Sequence, residues 1–307
     1  MRLLPENTNI NFLSKAPIAI TLSILLVIGS FYVWFSKGES KYGVDYKGGT
    51  EVVVALTEAT SAEAIREALE KGGVQSAIVQ SFEKGSNQFS IKVSGSDNSA
   101  KASIDNSLKS AFSDKFKIER TDVVGPTIGE ELRAKALVAT IFGMLGILAY
   151  IAFRFEFAFA LGAVVAVFHD VIVCTGVYLF MGHEINASTL AAALTIVGYS
   201  VNDTIVIFDR VREEILKSKK FEITELINRC INATLSRTII TNLLTLLSAL
   251  ALLLYGGGAI ADLSLYMVVG IVIGTYSTMF IASPIVIAWD KWSQARAVAK
   301  GAVGARS

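Results

Sequence analysis

Segment 197–214, VGYSVNDTIVIFDRVREE, places a carboxylate, Asp203, inside an apolar run that turns charged only toward its end. Two other ionisable groupings interrupt apolar stretches: the neighbours His169 and Asp170, and Arg237. An ionisable side chain at the centre of a membrane helix costs roughly 2.5–3.5 kcal/mol on insertion scales, so it faces a partner or water. Desolvation disfavours the charged form of a carboxylate, and a nearby guanidinium favours it. A carboxylate whose proton affinity changes as an arginine approaches or retreats can take a proton on one side of a membrane and release it on the other. Asp203, Arg237 and Asp170, with Asn202 beside Asp203, are therefore candidates for a proton relay. The same residues also fit a structural pair that fixes helix packing, or an Asp203 that touches the water interface. His169 reads as a hydrogen-bonded packing residue, and Asp209 and Arg210 as solvated or snorkelling charges at the membrane boundary.

The elements that must position these groups are membrane helices. A chain of 307 residues with 52% hydrophobic residues and a mean hydropathy of +0.53 is more apolar than an ordinary soluble domain. Its formal net charge of +1 gives no basic bias toward nucleic acid. Windows long enough to span a bilayer, about 20 residues, occur at 16–35, 134–153, 158–180, 186–208, 233–254 and 264–288. The first is too long for the apolar core of a signal peptide and reads as a retained anchor, with Tyr32 and Trp34 in the interfacial belt.

Arg2, Lys15, Arg154, Arg210, Arg212, Lys217, Lys219, Lys220, Arg229, Lys291 and Arg296 fall on one side of these spans, whereas the loops MGHEIN and YGGGAIAD lack Lys and Arg. The positive-inside rule then makes 1–15, 209–232 and 289–307 cytoplasmic and 36–133 external. Counting from the loops at 1.5 Å per residue puts Asp203 roughly 10 Å inside the membrane and Asp170 roughly 21 Å. FEITELINRCINATLSRTIITNLL reads as an amphipathic surface helix running into the fifth span, which brings Arg237 to the depth of Asp203 and makes a pair between them geometrically reasonable. Small residues in STLAAALTIVGYS and VVGIVIGTYS allow close helix approach.

The external segment alternates strand and helix. TEVVVAL alternates and is β-branched, SAEAIREALEKGG carries a serine cap and terminal glycines, VQSAIVQSFE and QFSIKV make a hairpin around KGSN, NSAKASIDNSLKSAF is a second helix and KFKIERTDVV a last strand. The order βαββαβ predicts a ferredoxin-like α+β domain between spans one and two of a six-span helical membrane protein. The domain contains no His, no Cys and no serine with a candidate base, so it reads as a binding or mechanical module. Asp45, Gly48 and Gly49 in GVDYKGGTEV, and Gly125 and Pro126 in VVGPTIGEEL, flank it as turns or hinges. Cys174 and Cys230 offer neither a disulfide framework nor a metal cluster, and no GxxxxGK[ST] phosphate loop is present. The anchor, external domain and five-span pattern occurs once, so the other half of a transporter is expected in a second copy or in a related chain.

GVDYKGGT after the first anchor, VGPTIGEEL before the second span and VGYSVNDTIVIFDRVRE in the fourth resemble the SecF family, the F subunits of the bacterial SecDF protein-export complex in the resistance-nodulation-division superfamily. The resemblance covers nearly the whole chain. Tyr46 stands where phenylalanine is expected more often, and a phenol fits the same place. The resemblance implies a multi-pass protein of the bacterial cytoplasmic (inner) membrane with a periplasmic domain. It also implies pairing with SecD, association with the SecYEG channel, YajC and YidC as further candidate partners, exported preproteins as clients and membrane lipids as surroundings. It assigns an essential Asp to Asp203 and an Arg to Arg237, and implies coupling to protons without a bound cofactor or covalent catalysis, with sodium left open. An exporter of small molecules or lipids from the same superfamily, and a membrane chaperone or scaffold without ion coupling, are the alternatives.

Overall fold

The computed structural model describes residues 9–299 except 75–76, 82–86, 96–97, 114 and 218–221. Most of the expected KGSN turn, together with Arg2, Lys219, Lys220 and the tail beyond 299, lies outside the described residues. After α1 (Ala16–Ser36) comes a short turn of helix, α2 (Val44–Lys47), which leads into the sheet domain. The domain runs β1 (Gly49–Leu56), α3 (Ala62–Lys71), β2 (Ile78–Ser81), β3 (Gln88–Val93), α4 (Asn98–Phe112) and β4 (Phe116–Val124).

The strand order is β2-β3-β1-β4 with every pair antiparallel, the ferredoxin-like arrangement. Period-2 alternation sends Val52, Val54 and Leu56 of β1 to one face, where they meet Ile65 and Leu69 of α3 and Ile104 and Leu108 of α4. α3 starts where expected, with Ser61 Oγ accepting from the Ala64 amide at 3.2 Å.

Six helical stretches among the described residues are long and apolar enough to cross a membrane. They are α1, extended at its start to Leu13; α5 (Pro126–Arg154); α6 (Phe157–Phe180); α7 (Ala187–Lys217); α8 (Ile223–Tyr255); and a final stretch from α9 (Gly258–Ser277) through a π-helical turn at Thr278–Ala282 into α10 (Ser283–Ala299). Several run well past the apolar windows: α5 begins eight residues before 134 and α7 ends nine after 208. Hydropathy registers only the part of a helix that sits in hydrocarbon, whereas the hydrogen-bond ladder continues into water through Glu130, Glu131 and Arg133 or Arg210, Arg212 and Glu213. The π turn lies just before Pro284, whose ring lacks an N–H and crowds the carbonyl four residues back.

Helix α6 and the final α9–α10 stretch are the most enclosed of the spans among the described residues, and glycines set the distances of α6. A Cβ on Gly162 would lie 2.7 Å from the Ala282 carbonyl oxygen, and one on Gly176 would lie 2.1 Å from Ser30 Oγ of α1. In contrast α1, α5 and α8 turn many apolar side chains outward, Ile18 at 75% and Phe153 at 96% exposure among them.

Candidate ion-coupling site in the membrane helices

Asp203 is 5% exposed on α7. Its donor is Asn242 of α8, whose Nδ2 gives one hydrogen to Asp203 Oδ2 at 2.7 Å and the other to Thr275 Oγ1 of α9 at 2.6 Å. Tyr199 donates to Asn242 Oδ1 at 2.7 Å, so the amide is oriented with its oxygen toward the phenol and its nitrogen toward the carboxylate. One amide thus joins three helices at the buried acid. Sequence reading missed Asn242. The available signal was an asparagine in the apolar run RTIITNLLTLL, which is uncharged and so less conspicuous there than Asp203 or Arg237.

Arg237 is exposed and, among the described residues, makes no ion pair with Asp203, although its charge is close enough to act on that carboxylate. It lies five residues before Asn242, on the other side of a helix with 3.6 residues per turn. Asn202 is also exposed, in line with Thr195 and Gly198 on α7, and Arg237 is in line with Thr241 on α8. These polar strips face outward from helices that span the membrane, where lipid is a poor neighbour for them.

Asp170 is fully buried on α6. Ser200 Oγ of α7 and Ser277 Oγ of α9 donate to its Oδ2 at 2.5 and 2.8 Å, and His169 Nδ1 lies 3.0 Å from its Oδ1. Ser200 is only three residues from Asp203, about 4.5 Å along the helix axis. The two carboxylates therefore lie within about one turn of each other in depth, closer than the count from the loops predicted. The count took each helix separately from its own loop, whereas the Ser200–Asp170 hydrogen bond fixes how α6 and α7 are shifted against each other.

The two glycine stretches meet at the junction with the sheet domain. Gly48 has φ +77°, and a Cβ there would fall 2.8 Å from Pro126. A Cβ on Gly129 would fall 2.7 Å from the Gly48 amide nitrogen, so linker and α5 pack backbone to backbone. Asp45 Oδ2 accepts from the Ala187 amide at 2.9 Å, a carboxylate on the positive end of the helix that carries Ser200 and Asp203. Nearby, Lys92 of β3 pairs with Glu184 at 2.8 Å, and His183 Nδ1 lies 3.2 Å from Asp262 Oδ1 on α9. Burial works against the Lys92 ammonium, but the Glu51 and Glu184 carboxylates outweigh it and raise its pKa. The Tyr46 phenol is pushed up by burial and by the neighbouring Asp45. None of Lys92, His183, Glu184 or Asp262 was singled out from sequence, because each becomes notable only where domain and bundle touch.

Residues 103–292 match the family model for the protein export membrane protein SecD/SecF, C-terminal. Similar proteins include the protein translocase subunit SecF of Rickettsia rickettsii (strain Sheila Smith), 41% identical over 93% of each chain. That of Thermodesulfovibrio yellowstonii is 39% identical over 92% of this chain and 96% of its own. The crystal structure of SecDF, a translocon-associated membrane protein from Thermus thermophilus, superposes with a TM-score of 0.84 at 37% identity over 93% of this chain. A SecDF structure in a super-membrane-facing form gives a TM-score of 0.72 at 36% identity over 98% of the chain. The chain spans only 39% and 41% of those two proteins. Taken with the buried carboxylates and the sheet domain between the first two spans, these matches show that the chain belongs to the SecF family of protein translocase subunits.

Proposed function

We propose that this chain is the proton-coupled half of a protein-export motor that works with SecD and the SecYEG channel. It promotes the late, ATP-independent stage of export across the bacterial inner membrane. The termini are cytoplasmic and the sheet domain periplasmic. The observation that carries the reading is Asp203 in the middle of a span, held by one amide, with the Arg237 guanidinium near it and, among the described residues, not ion-paired to it. A carboxylate between a fixed neutral donor and a cation whose distance can vary changes proton affinity with conformation, which is the requirement for coupling. The exposed polar strips of α7 and α8, with Asn202 and Arg237, suit a partner carrying its own polar membrane helices better than lipid. The solved SecDF chains are more than twice as long as this one, which leaves room for such a half in SecD. Asp45, Gly48, Gly49, Gly125 and Pro126 tie the domain to α5 and α7, so a change in helix packing reaches the domain through a short, closely packed junction.

The test is export of a secretory protein from vesicles containing the chain and SecD, with a proton gradient, a sodium gradient or none. Asp203→Asn should abolish the gradient-stimulated part and leave assembly intact. Undiminished stimulation in the variant overturns the reading, and stimulation by sodium alone reassigns the ion.

A further inference from the structure

Among the described residues Asp170 has more donors than Asp203 and no cation. Three hydrogen bonds converge on its carboxylate, from Ser200, Ser277 and His169, and among the described residues no lysine or arginine pairs with it. His169 is 7% exposed, and its second ring nitrogen, Nε2, is buried with no hydrogen-bond partner among the described residues. Changing the tautomer does not remove this deficit. With the proton on Nδ1 the Nε2 lone pair is unsatisfied, and with the proton on Nε2 a donor is unsatisfied. The titratable groups facing the pair are Tyr276 beside the imidazole, Cys174 and Tyr266 near the carboxylate, and Asp203 one turn along α7 from Ser200. None of these is a cation that would hold Asp170 ionised.

We propose that His169 and Asp170 form a second proton-binding site, loaded through Nε2 of His169 and read by Ser200 and Ser277. In the unloaded state Asp170 is ionised and accepts the Nδ1 hydrogen of a neutral imidazole. A proton delivered by water binds Nε2, the Nδ1–H bond breaks, and that proton forms a bond to Asp170 Oδ1. The product is a neutral carboxylic acid beside a neutral imidazole of the other tautomer, so the site gains one proton and loses one negative charge. Three donors make the charged form tolerable in a buried place, and the lack of a cation leaves the neutral form accessible, so the site can exchange.

Loading weakens the hold on α7 and α9, because a neutral carboxyl is a poorer acceptor for the two serine hydroxyls. Those helices also carry the other site: Ser200 is three residues from Asp203, and Ser277 two from Thr275, which shares Asn242 with Asp203. The π turn begins directly after Ser277, and its Thr278 hydroxyl lies 3.2 Å from that of Thr204, the neighbour of Asp203. Irregular turns of this kind are where a helix can repack.

This inference takes its purpose from the proton-coupled reading, but its test reads protonation rather than export. Infrared difference spectra across a pH series would be recorded on the full chain with SecD in lipid nanodiscs. In an Asp203→Asn background, one carboxylic-acid band should still titrate, Asp170→Asn should remove it, and Ser277→Ala and His169→Gln should each shift its midpoint. The proposal is overturned by a spectrum in which Asp170→Asn removes no titrating band. It is equally overturned if Ser277→Ala and His169→Gln both leave the midpoint unmoved, and these two variants keep the carboxylate and decide the matter if Asp170→Asn does not assemble. Export that proves independent of Asp203 would leave the infrared result standing.

Discussion

Asp203 and Asp170 lie about one helical turn apart in depth, on adjacent spans, and the protein surrounds them differently. Asp203 takes one amide donor from Asn242, and the outward faces of its own helix and of α8 carry Asn202 and Arg237. Asp170 is enclosed by α6, α7 and α9 and takes two hydroxyls and an imidazole. The first environment can change when something docks on or leaves the outside of the bundle. The second can change only if the helices themselves move. The same residue type at the same depth is thus open to different influences, and neighbouring side chains set which.

The largest expected effect comes from breaking the Asp203 side. Asn242→Leu removes the donor and leaves a buried carboxylate unsatisfied, a loss of about 3 kcal/mol or roughly a hundredfold in gradient-stimulated export from vesicles. A rate within about twofold of wild type would erase the distinction drawn between the two acids. Next is Ser200→Ala, which takes one of three donors from Asp170 and leaves the Asn242 link intact. It should destabilise the complex by about 1.5 kcal/mol, read as a lower thermal midpoint, and an effect confined to Asp203-dependent export would argue that the two sites act as one.

Asp45→Ala acts on the helix that serves both acids, because it removes the acceptor of the Ala187 amide at the start of α7 while Asn186 still accepts from Thr189. A loss of about 1 kcal/mol is expected, seen as faster amide exchange in the first turn of α7. The smallest effect is the pH dependence of the junction. The Lys92 pKa is raised in the folded protein, so its contribution is fully present below the ordinary lysine range and is lost only as pH climbs through the raised value. The difference in thermal midpoint between wild type and Lys92→Met should stay constant through neutral pH and shrink only in strongly alkaline solution. Changes seen near neutrality would then belong to the membrane groups and not to the junction.

Much of the fold was legible in the sequence because the signals are local. Apolar windows locate spans, alternation in TEVVVAL locates a strand, and a serine followed by Glu63 locates a helix start. Helix ends were less legible, since α5 and α7 extend into water with polar residues that hydropathy reads as loop, whereas the amphipathic run before the fifth span reads as helix and is the start of α8. The candidate site was legible only as a set of residue types. Asp203, Asp170 and Arg237 stood out as charges in apolar runs, whereas Asn242, Ser200 and Ser277 look like ordinary polar residues of a membrane helix until they are seen pointing at a carboxylate.

By itself the sequence determined six membrane helices, a βαββαβ domain between the first two, and three places where charge is carried into the bilayer, because hydropathy and periodicity act over a few residues. Only the tertiary structure decided which side chains meet those charges. The Asn242 amide reaches Asp203 across 39 residues and Ser277 reaches Asp170 across 107. Such contacts depend on how far each helix is rotated and shifted against its neighbours, and that is set by small residues at close crossings, such as Gly162, Gly176 and Gly270, acting together.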